Sequence, residues 1–305
     1  MNNTRFSKNT MNIFLETRNY PADFPVCAFF TKDNDFIAHS HIDVEIVLVC
    51  EGSIRIGINQ QSKLLNQGEM AVIGSTDIHY YDSHGLHSTM IVIIFRPEII
   101  GAASGWPENL YFDPPFLSLS DLDGATQKNI WEIFKNISKE LNEAKPLSYP
   151  QKGGLIITCP QPLDHRLPYY DLIVKGEIFK LCSLLLRHFP TCTINPKKKD
   201  RRGPDIQKIQ FAIGFLENNY MHDVGLQEIA AKSNLSPYYF SRLFARFTGM
   251  NYKDYLTKIR ITKAEQLIRE GQKSIVDISF ECGFNSVRTF NRTFKKVKGY
   301  PPSRS

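Results

Sequence analysis

The spacing of apolar residues changes character along the chain. Between residues 24 and 95 it consists of short β-type runs, at 24–30, 44–50, 53–58, 70–73, 78–81 and 86–95, with Gly52 and Gly68 where sharp reversals are needed. Several short strands at this spacing predict a β-sandwich or barrel. After Arg96-Pro97 the period becomes helical, with Ile130, Ile133, Phe134, Ile137 and Leu141 on one stripe of a helix over 126–143. Proline and glycine interrupt 146–168, and Leu172, Ile173, Ile178, Phe179, Leu181, Cys182 and Leu184 to Leu186 then predict an apolar helix pair ending before Pro190. Residues 191–205 carry Pro196, three lysines, Arg201-Arg202 and Gly203-Pro204, the composition of a basic linker.

The last stretch writes one helical pattern twice. Leu226, Ile229, Ala230, Ser233, Asn234, Leu235, Phe240, Arg242, Phe244 and Gly249 are answered by Ile275, Ile278, Ser279, Cys282, Gly283, Phe284, Phe290, Arg292, Phe294 and Gly299. The register shift is 49 residues before the turn and 50 after it. Each copy reads as a helix-turn-helix. The first helix keeps its apolar residues on one face, with a small residue (Ala230, Ser279) where two helices cross. Asn234 and Gly283 tolerate the left-handed backbone of a tight turn. Ser236-Pro237 supplies an N-cap and a proline at the first helical position, and Asn285 or Ser286 can cap the second copy.

The phenylalanines anchor each second helix, which leaves its outer face free. Tyr238, Ser241 and Arg242 share that face in one copy, with Arg246 a turn further on; Arg288, Asn291 and Arg292 share it in the other, between Val287 and the pair Lys295-Lys296. Arginine can donate two hydrogen bonds to guanine and asparagine can pair twice with adenine. Residues 252–270, with Tyr252, Leu256, Ile259, Ala264, Leu267 and Ile268 at helical spacing, predict a linker helix about 28 Å long. That approaches the roughly 34 Å between successive major-groove openings on one face of DNA.

Residues from about 206 to 302 resemble the DNA-binding domain of the AraC/XylS family of transcriptional regulators. The motifs are Ile229-Ala230-x-x-Ser233-x-Leu235-Ser236-Pro237-x-x-Phe240-Ser241-Arg242-x-Phe244, then Tyr255-Leu256-x-x-x-Arg260-Ile261-x-x-Ala264, and Cys282-Gly283-Phe284 leading into Phe290-x-Arg292-x-Phe294-Lys295. The tail departs modestly, reading Gly299-Tyr300-Pro301-Pro302, and Val287 stands where a polar reader is common. The resemblance implies a DNA-binding transcriptional regulator, more often an activator, that recruits RNA polymerase at promoter DNA.

Charge sharpens the division. Residues 197–305 hold 21 basic and 10 acidic side chains, net +11, whereas residues 1–196 hold 16 and 21, net −5. A basic C-terminal third beside an acidic remainder points to a polyanion partner for one domain only. No apolar run approaches the roughly 18 residues of a membrane span, and the first twenty residues lack a secretory apolar core. The six cysteines, at 27, 50, 159, 182, 192 and 282, contain no Cys-x-x-Cys pair and read as reduced thiols of a cytoplasmic protein.

One N-terminal constellation carries chemistry: His39-x-His41-x-x-x-Glu45, followed by Gly52, Gly68 and His79. The two histidines and the glutamate share parity, so one extended strand would put them on one face. The set resembles the motifs of the cupin fold, where such residues bind a metal; here Gly74-Ser75-Thr76 and Ile78 replace the usual prolines and glycine of the second motif. A metal site, the lining of an organic effector pocket and a purely structural hydrogen-bond network all fit. The expectation taken forward is effector-pocket lining by His39, His41, Glu45 and His79, with no metal, cofactor or catalytic residue.

The sequence therefore predicts two domains. Residues 1–190 form a cupin-like β-barrel with flanking helices, for sensing and dimerisation; 191–205 are a basic linker; 206–305 form an all-α DNA-binding domain of two helix-turn-helix units joined by a helix. The expected function is a non-enzymatic, sequence-specific transcriptional regulator answering a small-molecule or environmental signal, and its expected partners are promoter DNA, RNA polymerase, an effector and a second copy of the chain. The alternatives are a metal-dependent cupin enzyme fused to a DNA-binding tail, and a constitutive DNA-binding protein whose barrel only dimerises.

Overall fold

The computed structural model describes residues 24–102, 106–107, 110–141, 168–193 and 203–304. Its N-terminal half is built on one long strand. β1 (Val26–Lys32) and β2 (Phe36–His39) precede β3 (Val44–Ile58), which β4 (Gln61–Asn66), β5 (Glu69–Ile73), β6 (His79–Asp82) and β7 (Ser88–Phe95) follow. Short β8 (Leu110–Phe112) and β9 (Phe116–Ser118) come next. The first half of β3 pairs with β7 and β5, and its second half pairs with β4 and β6. The register slips between Val49 and Glu51, beside Gly52 at φ +69°. A side chain at Gly52 would meet the His87 carbonyl oxygen at 2.0 Å, so only glycine serves at this bend.

The main path of the sheet runs β1-β7-β3-β5-β9, with β2 on β6 and β4 on β3. Among the described residues β1 and β9 each have one neighbour, as do β2 and β4. The sheet is therefore open, and the expectation of a closed cupin-like barrel is wrong. Alternating apolar residues specify strand faces, but closure requires edge strands to meet, and no local pattern encodes that.

Helices cover one face of the sheet. α1 (Gly124–Leu141) and α2 (Tyr170–His188) pack on one another. They bury Ile130, Phe134, Ile137, Ile178, Leu181 and Leu185 against Ile46, Leu48, Ile93 and Phe95. Where a helix pair was predicted, α2 is one continuous helix of 19 residues. Residues 191–193 form β10 (Thr191–Thr193) against β8. Of the predicted linker, 194–202 lie outside the described residues, as do Cys159 and 142–167.

The C-terminal half is all helix. α3 (Gly203–Asn218) leads into α4 (Leu226–Lys232) and α5 (Pro237–Thr248); α6 (Tyr252–Glu270) leads to α7 (Ile275–Glu281) and α8 (Val287–Lys298). Ser236 caps α5 as expected, and of the two candidates for α8 it is Ser286 that does so; they accept from the amides of Tyr239 and Thr289, and Gly249 and Gly299 end their helices in the left-handed conformation. Two separate apolar clusters form. Phe240, Phe244, Phe247, Tyr252 and Tyr255 fill the first, and Ile261, Ile278, Phe284, Phe290 and Phe294 the second. The first also takes in Ile37, Ala38, Ile78 and Tyr80, so β2 and β6 pack on α5 and share its core with α3 and α6.

Candidate functional site

Two places concentrate chemistry. The first is the outer face of the paired helices. Tyr238, Ser241, Arg242 and Arg246 of α5 are exposed, as are Arg288, Asn291, Arg292, Lys295 and Lys296 of α8, while Val287 is half-buried. The Arg242 guanidinium lies 5.7 Å from the centre of the Tyr238 ring, a contact that holds it on the outer surface. Each helix is seated from behind by fully buried rings, Phe240 and Phe244 in one and Phe290 and Phe294 in the other. The equivalence of the two copies is thus geometric as well as textual.

The two units are also fixed relative to one another. Arg260 of α6 donates through Nε to the Tyr220 carbonyl at 2.7 Å and through Nη2 to the His222 carbonyl at 2.8 Å, and stands 5.9 Å from the Phe284 ring centre. Gly283, at φ +79°, lets the second turn approach the connection between α3 and α4; a Cβ there would lie 2.7 Å from the Met221 carbonyl oxygen. Behind α8 the Glu265 carboxylate accepts from Lys298 at 2.6 Å, Arg269 at 2.9 Å and the Tyr300 hydroxyl at 2.8 Å. Burial lowers the Lys298 pKa despite that carboxylate. The sequence pattern did not single out this network, because Glu265 and Lys298 look like ordinary helix-surface residues.

The second place is a buried polar pocket. His39 ends β2, His41 lies in the loop that follows, Glu45 is on β3 and His79 opens β6. They converge across three segments instead of lying on one strand. One ring nitrogen from each of His39, His41 and His79 lies within 4.8 Å of the others, and all three residues are buried. Glu45 Oε2 stands 3.1 Å from His41 Nε2 and 3.5 Å from His79 Nε2. Tyr81, also on β6 and missed by the sequence reading, donates its hydroxyl to Glu45 Oε1.

The tautomers follow from the backbone. A carbonyl oxygen only accepts, so each Nδ1 that contacts one must carry the proton. His39 Nδ1 meets the Ile37 carbonyl at 3.0 Å, His41 Nδ1 the Asp43 carbonyl at 2.9 Å and His79 Nδ1 the Asp77 carbonyl at 3.1 Å. In the neutral rings Nε2 is then a lone pair turned inward. Burial pushes the His39 pKa well below its ordinary value, and His79 and His41 add to that while Glu45 opposes it. His79 Nε2 is buried with no hydrogen-bond partner among the described residues.

Comparison with known proteins gives the following. A family model described as an AraC-like ligand binding domain matches residues 26–148, and one described as a helix-turn-helix domain matches residues 229–305. The HTH-type transcriptional activator RhaS of Escherichia coli (strain K12 / DH10B) is 21% identical over 299 residues, 97% of this chain and 92% of the relative. The Msm operon regulatory protein of Streptococcus mutans is 26% identical over 136 residues, 44% of this chain and 47% of the relative, so that match spans just under half of each. A crystal structure of wild-type ToxT from Vibrio cholerae superposes over 94% of this chain and 96% of that one, with 13% identity and a TM-score of 0.41. The C-terminal domain of AraT from Geobacillus stearothermophilus covers 32% of this chain and 81% of its own, with 28% identity and a TM-score of 0.31.

Proposed function

We propose, from the premise that this chain carries the two domains of an AraC/XylS-type regulator, that it activates transcription by gripping promoter DNA with both α5 and α8. The chain is a sequence-specific DNA-binding regulator and not an enzyme, since the relatives that match it are regulators of transcription. Among the described residues no helix is long and apolar enough to cross a membrane. The observation that carries the reading is the pair of equivalent outward faces, each with an arginine at the same register, set on the 19-residue α6.

The finer parts of the proposal are assignments of roles to residues. Tyr238, Ser241, Arg242, Val287, Arg288, Asn291 and Arg292 read bases, while Arg246, Lys295 and Lys296 meet phosphate. Residues 1–190 sense and dimerise, 191–205 tether, and 206–305 bind DNA. The signal enters at His39, His41, Glu45 and His79, and bound DNA then presents RNA polymerase with an altered surface. Leu172, Phe179 and Leu186 are exposed at seven-residue intervals on α2, the heptad stripe of a helix that pairs with a second copy.

A duplex selected by the full chain from a random pool tests the base-reading assignment. Arg242→Ala and Arg292→Ala should each relax preference at defined base positions, costing about 1–3 kcal/mol there. Equal weakening on selected and random duplexes would remove that role. Lys295→Ala and Lys296→Ala should instead weaken binding to all sequences and flatten the dependence of log K on log salt by roughly one per lost phosphate contact. An unaltered salt slope rules out their phosphate contacts.

A further inference from the structure

The helix pair and the sheet do not close on one another everywhere. α1 packs over Ile46, Leu48, Ile93 and Phe95, and on the same face a groove of about 580 Å³ lies between α1 and Phe30 of β1, Cys50 of β3 and Ile91 of β7. That volume is within the range small organic ligands occupy. Phe30 is 41% exposed and Trp131 of α1 is 37% exposed, so folding leaves two large rings half in water at its mouth. α1 carries two stripes: Ile130, Ile133, Phe134 and Ile137 are buried, while Lys128, Trp131, Lys135 and Lys139 follow one another at three- and four-residue steps along the groove. Burial pushes the Cys50 thiol up, which makes this sulfur apolar wall instead of a nucleophile. Lys128 Nζ stands 3.9 Å from Glu132 Oε1, which leaves Lys135 and Lys139 as the excess positive charge of the rim. The histidine pocket is across the sheet: Ile46 and Leu48 belong to the cluster under α1, whereas Val47 and Val49, which share Glu45's side of β3, belong to the opposite one.

We propose that this groove is a second small-molecule site, which takes an aromatic monocarboxylate with its rings among Phe30, Trp131 and Phe134 and its carboxylate at Lys135 and Lys139. The walls decide the body of the ligand. Three aromatic rings with Ile91 and Cys50 offer an apolar surface on which a flat ring system stacks offset or edge-on. Ser138 is the one hydroxyl among the lining side chains, so a sugar or a peptide would give up water at many polar groups without finding partners. The rim decides the charge. Lys135 and Lys139 are exposed, so the carboxylate they attract stays at the mouth in contact with water and avoids the cost of burying an ion. A cationic ligand of the same shape would meet repulsion at that point. The site does not depend on the regulator reading, since uptake by the groove is measured without DNA.

The test titrates the full chain calorimetrically with 2-naphthoate and with the neutral 2-naphthalenemethanol, and maps the bound state by hydrogen exchange. One naphthoate per chain, with slowed exchange in α1 and β1 and none in β2 or β6, is the expected result. Lys135→Gln combined with Lys139→Gln should weaken naphthoate about fivefold, as the loss of two exposed charge contacts does, and leave the alcohol unaffected. Phe30→Ala should weaken acid and alcohol alike by about fivefold, through the lost ring contact. Both sets of changes are at exposed side chains, and an unaltered thermal unfolding midpoint confirms that the variants fold. Protection in β2 and β6 instead of α1 would place the ligand in the histidine pocket and overturn the assignment. Equal affinity for acid and alcohol overturns the role of the lysine pair. No uptake by the wild type overturns the site altogether; sedimentation equilibrium would then show whether a second copy of the chain fills the groove, in which case Phe30→Ala shifts the assembly toward monomer.

Discussion

Glu265→Ala should destabilise the second helix-turn-helix by about 3–5 kcal/mol. Glu265 is 2% exposed, and its carboxylate is the acceptor for Lys298, itself 6% exposed, as well as for Arg269 and Tyr300. Removing the carboxylate leaves an ammonium in a low-dielectric site with its strongest partner gone, which costs far more than the pair contributes. The remedies open to Lys298 are to lose its proton or to drag the end of α8 outward, and either loosens the Gly299 cap. The damage should be local, because the two apolar clusters behind α5 and α8 are separate. Native-state hydrogen exchange should show lost protection in α7 and α8 while α4 and α5 keep theirs. Glu265→Leu combined with Lys298→Met should recover most of the loss, since a buried ion pair replaced whole by apolar groups is often neutral. Equal destabilisation by the single and the double replacement would show that Glu265 acts through packing and not through charge.

The parts legible in the sequence were those written in local chemistry. The two helix-turn-helix units could be read because each turn needs its own residue types, Asn234 or Gly283 at positive φ and a serine cap before a phenylalanine-anchored helix. The bounds of α6 agree with the predicted 252–270. The N-terminal half was less legible. Strand β4, Gln61–Asn66, is mostly polar and, among the described residues, partnered along one edge, so alternation gave no signal. Residues 44–58, read as two strands, form one strand whose bend at Gly52 keeps its pairing on both sides. The barrel expectation failed because closure depends on distant edges. The pocket residues were found by type and spacing, but their convergence uses a loop at His41 and a separate strand at Tyr81. Nothing local marked Tyr80 or Tyr255, whose roles arise where the two halves of the chain touch.

Stability of the first helix-turn-helix should fall as pH rises from about 5 to 8, and Glu217→Gln should abolish most of that slope. Glu217 lies at the end of α3, 9% exposed, and its Oε1 has no hydrogen-bond partner among the described residues. Burial raises its pKa to about 8, with Lys263 opposing. The sign follows from proton counting. Below about pH 4.5, the ordinary carboxyl value, the side chain is protonated in folded and unfolded chains alike and contributes nothing. Between there and about 8 the unfolded chain releases the proton while the folded chain keeps it, so the folded state loses about 1.4 kcal/mol per pH unit. Above that range both forms are ionised and the loss is complete. Glutamine reproduces the shape of the protonated acid and cannot ionise, so the variant should match the wild type near pH 5 and exceed it by several kcal/mol near pH 8. The effect reaches the domain contact, because Glu217 is close enough to Tyr255 to raise the phenol's pKa beyond what burial alone does, and that hydroxyl donates to the Ala38 carbonyl of β2 at 2.6 Å. Hydrogen exchange of the α3 and α6 amides at pH 5.5, 6.5, 7.5 and 8.5, corrected for intrinsic rates, measures it directly. Parallel pH profiles for the wild type and Glu217→Gln would mean that Glu217 ionises freely in the folded chain, and the buried-acid assignment would fall.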